Sequence, residues 1–383
     1  MDSKRTFDVA VIGSGPAGAS AALKLAEKGI STVIIEKATL PRYKTCGGGF
    51  AFRGRREMPF DISPVVEKEF YRVDAYFDKI GIHKVSEREE PIISMVMRDD
   101  FDNFLVEKAK EAGITLLEDH KLKDITFGKE SILHTSQGEV RCKFIIAADG
   151  ALSPTAKIAG WKETRLLIPA LEYEVEVNPE DFERLSQTVR LDFDAAPMGY
   201  GWCFPKKNHL SIGLASFRRV KIDFKKLYRD YMTDVLKITD PIHEELHGFQ
   251  IPVTPRTDGC VRKNVFLVGD AAGFADPLTA EGISNAIFSG IMAADAIIES
   301  DLDQQKAEEN YNHKLNTTLL PELKTGVRLS KLFYDNEMIR NFLMKRYGDR
   351  ITEGMTQILM GERTYPKDIV KQVKKKLKQA IFS

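Results

Sequence analysis

The sequence predicts an α/β protein: a Rossmann-type nucleotide-binding domain, an inserted antiparallel-sheet domain for substrate, and C-terminal helices. Three observations predict it. The apolar run Val9-Ala10-Val11-Ile12 leads straight into Gly13-Ser14-Gly15-Pro16-Ala17-Gly18 and then a helical pattern. Two later apolar runs end in Asp149-Gly150 and Gly269-Asp270, and between them the period changes to the alternation of half-buried strands. Beyond about residue 300 the chain is helical in pattern and charged. The expected division is a discontinuous nucleotide domain from 1–75, 92–165 and 254–325, a substrate domain from 166–253 with an excursion at 76–91, and a helical region over 326–383.

Each element has a physical reason. In G-x-G-x-x-G, Gly13 permits the tight turn out of the strand, Gly15 lets backbone approach a diphosphate, and Gly18 lets helix and strand pack closely. The diphosphate would sit on free N–H groups at the positive end of a helix opened by Pro16 and Ala17. Ala19, Ala22, Leu23, Leu25 and Ala26 continue that helix, and Gly29 can cap it. Ser31 to Ile35 reads as a second strand ending in Glu36, 23 residues after Gly13, where a carboxylate can bind ribose hydroxyls. Glu36 would repel a 2′-phosphate. The site suits an ADP moiety, of FAD or of NAD.

The whole chain narrows the function classes. With 56 Lys+Arg and 56 Asp+Glu in 383 residues, charge points to no nucleic acid and no acidic partner. Hydrophobic content of 43% supports a sizeable core. The four cysteines at 46, 142, 203 and 260 contain no C-x-x-C pair, so neither a zinc site nor an iron–sulfur cluster is expected, and no metal. No apolar run reaches the ~18 residues of a membrane span. Met1-Asp2-Ser3-Lys4-Arg5 does not read as a signal peptide, so the cytoplasm is the expected compartment.

Between the fingerprints lie less regular stretches. Cys46-Gly47-Gly48-Gly49 reads as a loop, either flexible at the surface or with its backbone against something flat or bulky. Cys46 is then a small filler or a reactive thiol. Residues 57 to 91 are mixed and charged and read as an excursion. Ile92 to Met97 reads as a strand, and Asp99-Asp100-Phe101-Asp102 opens a helix stopped by Gly113. Arg98 at that junction is a salt-bridge partner or a cofactor contact. Leu122 to Arg141 alternates like short antiparallel strands, and Lys143 to Ala148 repeats the buried-strand pattern. Ala170 to Val177, Thr188 to Phe193 and His209 to Ala215 read as an antiparallel sheet, followed by a helix around Phe224 to Leu236. Between two of these strands, Pro197 to Lys206 holds Tyr200, Trp202, Phe204 and Pro205, an aromatic cluster that is either core or the floor of an apolar pocket. A helix from Ser284 to about Ile298 follows Gly282-Ile283. In the tail, Ile369, Val370, Val373, Leu377 and Ile381 share one face and Lys367, Lys371, Lys374, Lys375, Lys376 and Lys378 crowd the rest. That pattern is a membrane-surface anchor or a docked helix with a solvated lysine face.

Taken in this order, the first fingerprint with Glu36, then Asp149-Gly150, then Gly269-Asp270 resemble the p-hydroxybenzoate-hydroxylase-like flavoproteins from residue 7 to about 300. The resemblance implies FAD. Within that superfamily, Tyr43-Lys44-Thr45-Cys46-Gly47-Gly48-Gly49 and Pro197-x-x-Tyr200-x-Trp202-x-Phe204-Pro205 look like the cysteine–glycine loop and aromatic motif of the geranylgeranyl reductase family. The expected cofactor contacts are Gly13, Gly15, Pro16, Ala17, Gly18, Glu36, Lys37, Cys46, Gly47, Gly48, Arg98, Asp149, Gly150, Gly269, Asp270, Gly282 and Ile283. Tyr200, Trp202, Phe204 and Pro205 are expected to line a lipid cavity, with catalytic work assigned to Cys46, Tyr200 and Trp202. The implied activity is saturation of carbon–carbon double bonds in a prenyl chain. Electrons would come from NAD(P)H or from a reduced carrier such as ferredoxin, because no second dinucleotide fingerprint is present. A lipid substrate would give the basic tail a use at the membrane surface. Flavin-dependent halogenases carry a related motif with two tryptophans, of which Tyr200 replaces the first. A monooxygenase or halogenase is therefore the alternative enzyme, and a prenyl-lipid carrier with structural FAD is the alternative outside catalysis.

Overall fold

Strand Arg5–Ile12 lies inside an open sheet whose order is Val261–Arg262, Val265–Leu267, Gly138–Ala147, Arg5–Ile12, Thr32–Ile35, Thr115–Leu117. The computed structural model that gives this architecture describes residues 5–218, 221–369 and 371–373. The pairs from Val265–Leu267 across to Thr115–Leu117 are parallel. The hairpin Leu122–Thr126 and Ser131–Thr135 hangs antiparallel on the first half of Gly138–Ala147. Val9 to Val11, Val33 and Ile34 are fully buried, as continuous apolar strands covered on both faces must be. Helices Pro16–Ala26, Arg98–Glu111 and Ile283–Glu299 contribute to the same core. The first and last of these approach closely at Gly290, where an added methyl would lie 2.2 Å from the Ala17 carbonyl oxygen.

The second sheet runs His243–Pro252, Leu167–Glu176, Leu210–Ser216, Gly199–Pro205, Val189–Asp192, Arg72–Phe77, Ile82–Glu87. All its pairs are antiparallel except Val189–Asp192 with Arg72–Phe77. Two features differ from the sequence reading. The aromatic stretch is itself a strand, paired on both sides, because Tyr200, Trp202 and Phe204 fall on one face at period two. The excursion enters the second sheet at Arg72, earlier than residue 76, because Val73 and Phe77 alternate inward beside Val189. A small third sheet, Gly49–Ala51, Ile93–Met95 and Lys68–Phe70, lies between. It takes the third glycine of the cysteine–glycine loop into a strand.

Helices Gln304–Thr317, Leu319–Tyr334 and Glu337–Met360 follow. Leu319–Tyr334 crosses the boundary expected at residue 326, since Gly326 stays helical against Pro277. Most of the basic tail over 367–383, including Val370, Leu377 and Ile381, lies outside the described residues. Among the described residues, no helix is long and apolar enough to cross a membrane.

Candidate active site

The fingerprint forms the expected cradle. Gly13 has φ +99°, and a Cβ there would lie 2.5 Å from the Ala148 carbonyl oxygen. At Gly18 a Cβ would lie 2.0 Å from the Gly13 carbonyl oxygen. Gly15 caps the helix, Pro16 takes its first position, and Ala17 follows on the inner face. This leaves helix N-terminal N–H groups beside the end of the parallel strands.

Glu36 stands at the end of its strand. Its carboxylate accepts hydrogen bonds from the Ser14 N–H at 3.0 Å, the Ser14 hydroxyl at 2.6 Å and the Ala38 N–H at 3.1 Å. Lys37 next to it is exposed. Asp149 accepts from the Ser153 hydroxyl at 2.5 Å and the Thr155 N–H at 2.8 Å, which builds the turn into helix Pro154–Ile158. Its backbone, with Ala148, is what faces Gly13, and Gly150 turns away at φ +80°.

Arg98 takes the salt-bridge role that the sequence left open. It grips fully buried Asp102 through Nε at 2.8 Å and Nη2 at 2.9 Å, an i,i+4 pair. The same Nη2 lies 3.8 Å from where a Gly15 Cβ would be, so the guanidinium borders the cradle. Arg42 completes the knot through Nη1 to Asp102 at 3.0 Å. Arg98 also interacts with the Cys46 side chain, which brings the cysteine loop to the same place.

Gly269, at φ +51°, starts a short helical turn, and its N–H is held by the Ser289 hydroxyl at 2.9 Å. Burial pushes the Asp270 carboxyl up, against the pull of Lys44, Arg98 and Arg165. Gly282, the N-cap of helix Ile283–Glu299, lies close to it: a Cβ there would be 3.7 Å from Asp270 Oδ1. A carboxylate, three cations and a helix N-terminus thus converge beyond the fingerprint. Together with the glycine cradle they fit an elongated dinucleotide.

The cysteine–glycine loop lies across the aromatic strand. A Cβ on Gly47 would meet Phe204 Cδ2 at 3.0 Å and Trp202 Nε1 at 3.2 Å. Gly48 has φ +70°, and a Cβ there would lie 2.0 Å from the Val96 carbonyl oxygen and 2.3 Å from Lys206 Nζ. Lys206 is fully buried and donates to the carbonyls of Gly47 at 2.6 Å and Val96 at 3.1 Å. Burial lowers its pKa. Cys46 is half-buried, while Cys142, Cys203 and Cys260 are buried.

Tyr200 and Trp202 lie in one aromatic cluster with Phe217 and Tyr334. The Tyr200 hydroxyl donates to the Thr279 carbonyl at 2.6 Å, and Tyr334 donates to the neighbouring Leu278 carbonyl at 2.7 Å. Two tyrosines thus hold the turn before Gly282. Burial pushes the Tyr200 phenol well above its ordinary range. The Trp202 indole N–H donates to Ser211 Oγ at 3.4 Å. Pro205 ends the strand, and Phe204 rests on the glycine loop.

Sequence reasoning missed Lys206, Asp102, Arg42 and Lys44 as parts of this site. Asp102 had a signal, its i,i+4 spacing from Arg98 on a helix. Lys206 directly follows the aromatic motif, but nothing local marks a lysine that will bond a carbonyl 159 residues away.

The chain is similar over most of its length to known proteins. The family described as pyridine nucleotide-disulphide oxidoreductase matches residues 7–172, and the tryptophan halogenase family matches residues 96–321. Geranylgeranyl diphosphate reductase of Arabidopsis thaliana is 30% identical over 381 residues, covering 92% of this chain and 80% of its own. Digeranylgeranylglycerophospholipid reductase of Methanosarcina acetivorans is 29% identical over 367 residues, 82% of each chain. Among solved structures, a geranylgeranyl bacteriochlorophyll reductase-like protein from Thermoplasma acidophilum shares the fold with a TM-score of 0.75 at 24% identity, over 91% of this chain and 98% of that one. Fold and similarity over most of the chain agree: the chain belongs to the geranylgeranyl reductase family of FAD-dependent oxidoreductases, on the p-hydroxybenzoate-hydroxylase-like fold.

Proposed function

We propose that this enzyme saturates carbon–carbon double bonds of a geranylgeranyl-type chain carried by an isoprenoid or lipid. One observation carries the reading. The Cys46–Gly48 loop of the cofactor domain lies directly on Trp202 and Phe204 of the aromatic strand. An apolar chain bound along the aromatic face would therefore meet the cofactor domain at Cys46. When bound and reduced, FAD supplies the hydride.

The protein's own residues supply the rest. The glycine cradle and Arg98 bind the diphosphate side, and Asp270 with the Gly282–Ile283 helix start orients the polyol and ring side. Trp202 and Phe204 exclude water, which an isolated alkene requires if a proton is to be delivered without competition. Of the residues assigned catalytic work, Tyr200 has its hydroxyl hydrogen committed to the Thr279 carbonyl. Cys46 Sγ, half-buried beside Arg98, is the better placed donor.

Anaerobic incubation of the dithionite-reduced protein with geranylgeranyl diphosphate and with a geranylgeranyl lipid, read by mass spectrometry, tests the reading. Product gaining mass in steps of two hydrogens supports it. Fully reduced flavin with unchanged substrate refutes it. The match of residues 96–321 to tryptophan halogenases supports a second reading, a flavin-dependent halogenase or monooxygenase. Addition of oxygen, halide and an aromatic substrate to the same reduced sample tests that one. NAD(P)H and ferredoxin are the electron donors to compare. For the proposed membrane-surface role of the tail, the comparison is sedimentation with anionic vesicles before and after deletion of residues 367–383.

A further inference from the structure

Beneath the cysteine–glycine loop lies a polar network that the proposed chemistry does not use. Glu172, on strand Leu167–Glu176, is 2% exposed. It accepts a hydrogen bond from Ser211 Oγ at 2.6 Å and one from the Cys46 backbone N–H. Ser211 in turn accepts from Trp202 Nε1, a donor-only group, which fixes the direction of the chain: indole to hydroxyl to carboxyl. The loop above is pinned by Lys206 to the Gly47 carbonyl. Glu172 is thus joined both to the backbone of Cys46 and to the aromatic wall.

A second carboxyl shares the place. Glu174 is two residues along the same strand and faces the same side. Its Oε2 is buried and makes no hydrogen bond, although His209 Nε2 stands 3.1 Å away. Its Oε1 accepts from Tyr43 at 3.4 Å. The other titratable groups facing this pair are Lys206, Tyr43 from the loop, His247, the register partner of Glu172 on strand His243–Pro252, and Glu245, the register partner of Glu174. Tyr43 stacks on His247 with centroids 4.1 Å apart, so the loop roofs the pair of carboxyls. The Glu174 charge on the same face disfavours ionisation of Glu172. Burial, then the Glu174 charge, pushes Glu172 up to about 7.

We infer that closing the Cys46 loop over Glu172 takes up a proton there, making Glu172 the proton-holding group beneath the reaction site. The sign follows from linkage. With the loop closed, burial and the Glu174 charge outweigh the Cys46 N–H bond, which favours the ionised form, and the carboxyl holds its proton; with the loop open it meets water and ionises near the ordinary carboxylate value. Closure is therefore favoured at low pH and weakened as pH rises toward 7. Glu172 acts through the loop it positions and does not itself touch substrate. The inference deepens the reductase reading, which needs a proton as well as a hydride, and rests on it only for its use.

Hydrogen exchange of the loop, residues 43–49, in the FAD-loaded protein without substrate tests the inference. After correction for intrinsic exchange, protection should fall by up to about tenfold per pH unit between about pH 5 and 7, then level off. Glu172→Gln should abolish the slope. Ser211→Ala removes a donor that lowers the carboxyl pKa, so the levelling should move to higher pH. This second variant remains decisive if Glu172→Gln does not fold. Flat protection in the wild type, or an unchanged slope in Glu172→Gln, overturns the inference. Since no substrate is present, a failure of prenyl reduction would leave a positive exchange result standing, and the reverse also holds.

Discussion

Replacing Gly48 by alanine should disable the enzyme, whereas the same change at Gly47 should be tolerated. At Gly48 the backbone is left-handed, which costs an L-residue about 1 kcal/mol. The new methyl would stand 2.0 Å from the Val96 carbonyl oxygen, a backbone atom within the run to strand Ile93–Met95 and helix Arg98–Glu111, and 2.3 Å from Lys206 Nζ. Overpacking of this kind costs about 1–3 kcal/mol. Pushing a buried ammonium off a carbonyl adds roughly another 1–3 kcal/mol. The ceiling is about 3–7 kcal/mol, and local detachment of the loop limits what is lost globally. At Gly47 the methyl meets only side-chain atoms of Phe204 and Trp202 at 3.0 and 3.2 Å, which can shift by tenths of an ångström at a cost of roughly 1 kcal/mol. FAD titration by fluorescence quenching and urea unfolding of both variants measure the contrast. The reasoning is refuted if Gly48→Ala binds FAD and unfolds like Gly47→Ala.

Other expectations follow from the same geometry. Arg98→Met leaves buried Asp102 with Arg42 alone and removes a cation from the cradle, so FAD affinity should fall at least about tenfold in the same titration. Tyr200→Phe strips a hydrogen bond from the Thr279 carbonyl and should cost about 1–2 kcal/mol in urea unfolding. Its turnover should stay within about threefold of wild type, provided Cys46 is the donor, whereas Cys46→Ala should lose about a hundredfold or more. Glu172 ionises less readily folded than unfolded. Its contribution to stability is thus full below the ordinary carboxylate range and is lost as pH rises to about 7. Wild-type unfolding midpoints should fall across that window relative to Glu172→Gln, with a ceiling of about 3 kcal/mol.

The parts legible in the sequence were those whose reason is local. The turn at Gly13 and the packing at Gly18 each follow from backbone sterics within a few residues, and the structure places both as expected. Period-two alternation likewise located strands Leu167–Glu176 and Leu210–Ser216. The aromatic stretch hid its strand behind its glycines, Gly199 and Gly201. These are tolerated because close neighbours occupy the missing side-chain space: Ala215 backbone at Gly199, and Ala195, Leu214 and Tyr231 at Gly201. Lys206 and Glu172 were illegible for a different reason. A buried lysine bonded to Gly47 and a carboxyl bonded to Ser211 acquire meaning only from partners brought together by the whole topology.

The loop that ends at Gly49 belongs by sequence to the cofactor domain, yet Lys206, Trp202 and Phe204, which hold it, belong to the other sheet. Neither domain possesses that wall alone. Any ligand whose affinity depends on the loop's position must therefore shift the affinity of a ligand on the far side by the same factor, whichever binds first. An apolar chain seated on the aromatic strand and a flavin in the cradle would each change the other's affinity by one and the same factor. The peptide backbone of two glycines would then be the thermodynamic link between the two.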